Sequence, residues 1–170
     1  MIFGHSAKGV GIAAAGLIVT SVGGALLSKI DRWYFMLRKP SWQPPALLFG
    51  PVWTTIFALT GFSFVRSWDR VRTDAARARL TGLFYANFGF NALWSYLFFT
   101  RRRPDLALLE IAPLVASIVL LIITTAPLDR HAALALVPYL AWVSFAAVLN
   151  ATIVRLNAPF AKPAATPSAP

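Results

Sequence analysis

Cysteine is absent from the 170-residue chain, and histidine occurs only twice, as His5 and His131. The chain therefore has no disulfide, no thiolate nucleophile and no cysteine-ligated metal. Both histidines lie outside the long apolar runs, where they are poorly placed to ligate a buried haem iron or metal ion. We predict a protein without a resident metal or cofactor.

Acidic side chains are also scarce, with six Asp and Glu against 16 Lys and Arg. The sequence contains no paired carboxylates, no nucleophile–base pair and no glycine-rich phosphate loop. Hydrolases and phosphotransferases depend on such groups. Neither class of enzyme is indicated by this chain.

Charge of either sign is sparse in a chain that is 58% hydrophobic and 13% charged, with a mean hydropathy of +0.64. A soluble domain of this size has too large a surface to hide so much apolar material, so we predict an integral membrane protein. The net charge is +10, but the cations form short clusters between apolar runs. There they would meet anionic lipid headgroups, and we expect membrane lipids rather than nucleic acid as partners.

Five apolar runs each have about the 20-residue length of a transmembrane helix. The predicted helices cover about 10–27, 46–65, 80–100, 106–126 and 132–154. The runs are continuous and lack the alternation of membrane β-strands. The predicted fold is therefore all-α, a bundle of five transmembrane helices in one domain over residues 1–157. A Pro/Ala/Ser-rich tail over residues 158–170 is predicted to be disordered.

The first apolar run is longer than the core of a typical signal peptide and lacks a clean cleavage site, so we expect it to be retained as a helix. The cations divide nine to seven in favour of the side that holds the C-terminus. The positive-inside rule therefore favours a cytoplasmic C-terminus. Small residues recur at four-residue spacing on this helix, at Gly16, Thr20 and Gly24, which is typical of a helix-packing face and permits a homodimer.

The third run places amides and rings on one helical face. Asn87, Asn91, Trp94 and Phe98 are spaced at i, i+4, i+7 and i+11. An asparagine in hydrocarbon needs a hydrogen-bond partner, so this face is predicted to point inward. The amides either join neighbouring helices, which is their commoner use in membranes, or line a ligand cavity among the aromatic rings.

The fifth run carries a similar face, formed by Trp142, Ala146 and Asn150 with Phe145 beside it. A large ring, a small residue one turn later and then an amide would form a recess with a polar floor. The second run has a similar pattern, two aromatic rings followed by a small residue.

That second-run pattern consists of Trp53, Phe57 and Gly61. Mid-helix tryptophan is unusual, because tryptophan prefers the headgroup region. Pro51 and Pro138 fall inside the second and fifth predicted spans, where each is either an ordinary kink or a residue that shapes a cavity.

Glu110 is the one acidic residue inside the predicted spans, and an intramembrane carboxylate is a functional candidate by default. It lies near the start of its helix and close in sequence to Arg101, Arg102 and Arg103. An acid there also suits the positive end of the helix dipole. We favour the structural interpretation, because a single carboxylate without a partner is a poor proton relay.

Between the first two runs lies an aromatic loop, residues 28–45, which contains WYFMLRKPSWQPP. Its rings include Tyr34 and Trp42, and its cations include Arg38 and Lys39. Two interpretations are open. The rings form a lid over a ligand site, or they are an interfacial belt with the cations as lipid anchors.

Four stretches in order, WYFMLRKPSWQPP, GPVWTTIFAL, NFGFNALWSYLFF and VPYLAWVSFAAVLNATIVRLN, resemble the translocator protein / tryptophan-rich sensory protein family. The resemblance implies a five-helix bundle, often a homodimer, with a pocket closed by the first loop. It also implies binding of porphyrins, notably protoporphyrin IX, and a link to tetrapyrrole regulation and stress response. The positions that match the family's pocket are Tyr34, Trp42, Trp53, Asn91, Trp94, Trp142 and Ala146.

Two positions depart from the family pattern. Asn87 stands where glutamine is more frequent, and Ala151 stands where the animal cholesterol motif has tyrosine. The second departure argues against cholesterol specificity and fits a bacterial member in the cell membrane.

The resemblance makes a porphyrin-binding membrane receptor or sensor the leading expectation, with Arg38 and Lys39 as partners for the propionates. Light-dependent porphyrin degradation and porphyrin or lipid transport are the alternatives. The predicted ligand-binding residues are Tyr34, Trp42, Trp53, Phe57, Asn87, Asn91, Trp94, Trp142, Phe145, Ala146 and Asn150.

Overall fold

Long helices run side by side in the computed structural model, which describes residues 5–28 and 30–160. Two short helices, α2 and α6, lie in the connections. The helices in chain order are α1 (Ala7–Leu27), α2 (Arg32–Met36), α3 (Ala46–Arg70), α4 (Asp74–Ser95), α5 (Pro104–Thr125), α6 (Arg130–Ala135) and α7 (Val137–Asn157).

Within residues 5–28 and 30–160, four helical segments are long and apolar enough to cross a membrane, namely Ala7–Gly24, Ala46–Arg70, Pro104–Thr125 and the α6–α7 unit Arg130–Asn157. The remaining long helix, α4, is the least apolar because it has two central asparagines and a charged first turn. It packs between α1 and α5. The prediction of an all-α membrane bundle is confirmed.

Helix boundaries differ from the predicted spans where capping and proline intervene. α4 begins at Asp74, before the apolar run, because the Thr73 hydroxyl accepts a hydrogen bond from the Ala76 N–H and caps the helix. The span predicted over 132–154 is divided at Leu136 into α6 and α7. Pro138 therefore lies in the first turn of α7, where backbone N–H groups make no hydrogen bond within the helix. Proline thus costs α7 no hydrogen bond at this position.

Pro51 does lie inside a helix, in the second turn of α3. The residues of the predicted disordered tail from 161 onward lie outside the described residues.

The two ends of the bundle are packed differently. We call the end that holds the first loop, residues 28–45, the loop end, and the opposite end, which holds the α3–α4 and α5–α6 connections, the far end. α5 packs against both α4 and α7, and α1 packs against α3 and α4. The far end is filled by a cluster that includes Phe64, Trp68, Leu80, Phe84 and Leu121. Fewer buried side chains occupy the loop end, and a cavity lies there.

An ionic cluster joins the ends of three helices, α1, α3 and α6, at the far end. Asp129 precedes α6, accepts a hydrogen bond from Arg66 Nε at 2.6 Å and lies 2.7 Å from Arg70 Nη1. Both arginines belong to the last turns of α3. On the same helix, Asp69 accepts from the N–H of Ser6, the residue that caps α1, and pairs with the His5 ring. Charged side chains thus tie α1, α3 and α6 together.

Candidate ligand-binding cavity

A cavity of about 460 Å³ lies at the loop end, among α1, α2, α3, α4, α5 and α7. Its volume is in the range of ordinary small-molecule sites. A shallower apolar groove of about 520 Å³ lies outside it, between α3 and α7. We take the inner cavity as the candidate site because more elements enclose it. Its lining residues are Ser21, Gly24, Ser28, Ile30, Tyr34, Ala46, Phe49, Gly50, Trp53, Thr54, Phe57, Asn91, Trp94, Ser95, Phe99, Ile111, Leu114, Trp142, Val143 and Ala146.

Aromatic rings form much of the cavity wall and hold one another in place. Trp53 lies 5.5 Å from Phe57 along α3, measured between ring centroids. The Phe49 ring of α3 packs edge-on against Trp142 of α7, with the ring centroids 5.5 Å apart. Trp94 on α4 completes this set of rings. Such ring pairs favour defined geometries, so the wall is suited to receive a flat apolar molecule.

Asn91 places an amide on this apolar wall. It is 5% exposed, and its Nδ2 donates to the Tyr139 hydroxyl of α7 at 3.3 Å. Among the described residues that line the cavity, no other carries a side-chain amide. A few fixed polar groups in an apolar pocket are typical of sites that orient a ligand.

The other two predicted amides lie outside the cavity lining and join helices. Asn87 donates to the Ser117 hydroxyl on α5 at 2.8 Å. The Asn150 amide, oriented so that both of its groups are paired, donates to the Pro104 carbonyl and accepts from the Leu108 N–H, each at 3.1 Å. The sequence left two roles open for these amides, joining helices or lining a cavity. In the structure, Asn87 and Asn150 join helices.

Tyr34 is the aromatic residue of the loop that lines the cavity. Its hydroxyl accepts a hydrogen bond from Gln43 Nε2 at 3.4 Å, and Lys39 Nζ lies 4.1 Å from its ring centroid. Burial raises the pKa of Tyr34 and lowers the pKa of Lys39. The Tyr34 ring therefore forms part of the cavity lining, and the Lys39 ammonium contacts that ring.

Trp42 and Phe145 pack against each other at 5.8 Å, outside the inner cavity. Trp42 is 47% exposed, and Phe145 lines the outer groove between α3 and α7. Of the eleven predicted residues, the cavity lining includes Tyr34, Trp53, Phe57, Asn91, Trp94, Trp142 and Ala146, and it leaves out Trp42, Asn87, Phe145 and Asn150.

Contacts from distant parts of the chain hold the first loop over the cavity. Arg102 donates to Asp31 at 2.6 Å, and Asp31 also caps α2 by accepting from the Tyr34 N–H. Burial would raise the pKa of Asp31, but the bonds from Arg102 and the backbone lower it overall. At the other end of the loop, Asn157 of α7 accepts from the Arg38 N–H and donates to the Arg38 carbonyl, both at 2.8 Å.

Glu110 lies beside the site without lining it. Its side chain is buried, and neither carboxylate oxygen has a hydrogen-bond partner among the described residues. Two of the three arginines of that cluster are engaged elsewhere, since Arg102 pairs with Asp31 and Arg103 with Asp105. A stabilising contact between Glu110 and the arginine cluster is therefore not what the structure contains.

Sequence reasoning missed one whole wall of the cavity. Ser21 and Gly24 line it from α1 and Ser28 from the C-cap of that helix, and their i, i+3, i+7 spacing was the available signal. Phe99 also lines it, from a π-helical turn, Tyr96–Thr100, that continues α4. Such a turn has no clear sequence signature.

Comparison with known proteins decides the family. The TspO/MBR family profile matches residues 10–156. The chain belongs to the TspO/MBR family. Membership of TspO/MBR confirms the resemblance found in the sequence, and it agrees with the apolar helices in making the chain a multi-pass integral membrane protein.

Relatives of this TspO/MBR chain occur in archaea, bacteria and animals. It is 34% identical to the tryptophan-rich protein TspO of Archaeoglobus fulgidus, over 86% of this chain and 97% of the relative. It is 38% identical to the protein of the same name in Chlorobaculum tepidum, over 83% and 90%. It is 32% identical to the human translocator protein, over 74% of this chain and 75% of the relative.

Proposed function

We propose that this TspO/MBR protein is a membrane receptor or sensor that binds a porphyrin of the protoporphyrin IX type in the loop-end cavity, in connection with tetrapyrrole regulation and stress response. The main support is the cavity wall, which Trp53, Phe57, Trp94 and Trp142 line together with the amide residue Asn91. A flat macrocycle gains from stacking on such rings. The single amide would fix the orientation of the macrocycle.

Lys39 supports a ligand with carboxylates. Its ammonium lies 4.1 Å from the centroid of the Tyr34 ring, and Tyr34 lines the cavity. Because burial disfavours the charged form of Lys39, a carboxylate beside it would stabilise that form and gain a charge-assisted hydrogen bond. Porphyrin propionates have this chemistry, whereas their methyl esters do not.

The test is a titration of the purified protein with protoporphyrin IX in the dark, read as quenching of tryptophan fluorescence. Asn91→Ala should weaken the affinity by about two- to tenfold, as expected for one hydrogen bond. Asn87→Ala is the matched control, one turn away on α4 and outside the cavity lining. It should leave the affinity within about twofold.

A second arm tests the carboxylates. Lys39→Gln should weaken binding of the diacid and leave binding of the dimethyl ester unchanged. Quenching that does not saturate, and that is equal in all variants, would mean that the porphyrin dissolves in the detergent, and the receptor proposal would be wrong.

A further inference from the structure

The cavity is open on one side. The lining residues that are also exposed at the surface belong to α1, the turn after α1 or the first part of α3. They are Ser21, Ile30, Ala46, Gly50 and Thr54. The lining residues of α4, α5 and α7 are buried or half-buried. The opening therefore lies between α1 and α3.

The seam between α1 and α3 is tight near the middle of both helices and wide at the loop end. A Cβ atom on Gly61 would lie 2.6 Å from the Leu17 side chain. A Cβ atom on Gly24 or Gly50 would meet no neighbouring atom within 4 Å. The two helices thus diverge from close contact into a gap, and both glycines line the cavity at that gap.

The rim of the gap is apolar. Val22, Leu26 and Leu47 beside it are 53%, 69% and 86% exposed. The Thr54 hydroxyl donates to the Gly50 carbonyl at 3.0 Å, so it is already satisfied. At a rise of about 1.5 Å per residue, Thr54 lies roughly 12 Å along α3 from its first residue, within the half-thickness of a bilayer core. The apolar rim and this depth predict that the gap faces hydrocarbon.

We propose that the gap between α1 and α3 is a lateral window through which a flat apolar ligand passes from the bilayer into the cavity, and that Gly24 and Gly50 determine what can pass. The identity of the ligand rests on the proposed function, whereas the window rests on the geometry of the seam. Glycine is a poor helix former, and at these two positions the missing side chain leaves the passage clear.

The absence of cysteine from the chain permits a direct test of passage. Gly24→Cys and Gly50→Cys, each in lipid nanodiscs, are modified with benzyl methanethiosulfonate, and protoporphyrin IX is supplied from lipid vesicles. Labelling should slow both association and dissociation by tenfold or more, with a much smaller change in Kd. A reductant should restore the rates. Gly23→Cys is the matched control, because Gly23 is equally free of neighbours but does not line the cavity.

Unchanged rates after labelling at both Gly24 and Gly50, or equal slowing after labelling at Gly23, would overturn the window. A second measurement needs no porphyrin. A nitroxide on Gly24→Cys should collide readily with oxygen, which concentrates in lipid, and rarely with a water-soluble nickel chelate. Ready collision with the chelate would place the opening in water, and low collision with both would mean that there is no opening.

The two measurements separate the two proposals. Oxygen accessibility without saturable porphyrin binding would overturn the proposed ligand and support the window. Saturable binding with label-insensitive rates would support the ligand and overturn the window.

Discussion

The carboxylate of Asp129 holds the far end of the bundle together, and its replacement gives a quantitative test. Its side chain is 2% exposed. It accepts from Arg66 Nε at 2.6 Å, from the His131 N–H at 2.7 Å and from the Ala132 N–H at 3.1 Å, and it lies 2.7 Å from Arg70 Nη1. Removing the charge while keeping the shape, as Asp129→Asn does, isolates the electrostatic part of these contacts.

The magnitude follows from the pKa of Asp129. Burial would raise this pKa, but the hydrogen bond from Arg66 and the two backbone N–H groups lower it from 3.8 to about 2. A difference of roughly 1.8 units corresponds to about 2.5 kcal/mol of folding stability. For a chain of this size, that is a change of about 5 to 10 °C in the melting temperature.

The direction of the pH dependence also follows. Because the pKa is lower in the folded state than in the unfolded state, the stabilisation is fully present above pH 3.8 and is lost as the pH falls towards 2. Thermal melts of wild type and Asp129→Asn in detergent should therefore differ by about 5 to 10 °C at pH 7. The difference should shrink steadily below pH 3.8.

Asp74→Asn is the control, because Asp74 is fully exposed and its ion pair with Arg77 is long, at 3.6 Å. Its effect should stay within about 0.5 kcal/mol. A melting temperature for Asp129→Asn equal to that of wild type at pH 7, or a difference that persists unchanged at pH 2, would refute this account of the far end.

Three further substitutions probe the loop end and the packing of α1. Asn157→Ala removes both side-chain hydrogen bonds to the Arg38 backbone. Amide hydrogen exchange at Arg38 should therefore accelerate about tenfold, for a loss of roughly 1.4 kcal/mol. An unchanged exchange rate would mean that Asn157 does not hold the loop in place. Gly16→Ala places a Cβ atom 2.9 Å from the Phe88 ring and should lower the melting temperature. Gly24→Ala, two turns later on α1, meets nothing within 4 Å and should raise it through helix propensity. The reverse order would mean that α1 is not packed as described.

Hydropathy and helical periodicity carried the prediction of an all-α membrane bundle, because both depend on residues close in sequence. Periodicity could not separate Asn87 from Asn91, which share a face of α4. They differ in depth along the helix, since the cavity lies at the loop end and Asn87 meets Ser117 of α5 instead. The sequence pattern along one helix predicts the face on which a residue lies. Only the neighbouring helices determine which side chains that residue contacts.

The end of α4 illustrates a second limit. The predicted face continued from Trp94 to Phe98, on the assumption of uninterrupted α-helical spacing. The π-helical turn over Tyr96–Thr100 changes that spacing. Phe98 is consequently buried against Trp94 and Trp33, while Phe99 lines the cavity.

The fold of the first loop was equally hidden from the sequence. Its position depends on Arg102 and Asn157, which lie about 70 and 120 residues away. Nothing within the loop identifies those partners. For this reason the sequence assigned both Tyr34 and Trp42 to the ligand site, whereas in the structure Tyr34 lines the cavity and Trp42 lies outside it.

The contrast between a filled far end and a hollow loop end bears on how such a bundle remains stable. By the cost of empty cavities in water-soluble cores, about 24 cal/mol per Å³, the volume of 460 Å³ would cost about 11 kcal/mol, as much as the whole stability of many domains. The proposed lateral window would remove that cost, because lipid acyl chains could then fill the space whenever a ligand does not. The window that we propose would thus serve both ligand access and stability. Blocking it with a bulky label should therefore lower the melting temperature of the protein in lipid as well as slow its binding kinetics.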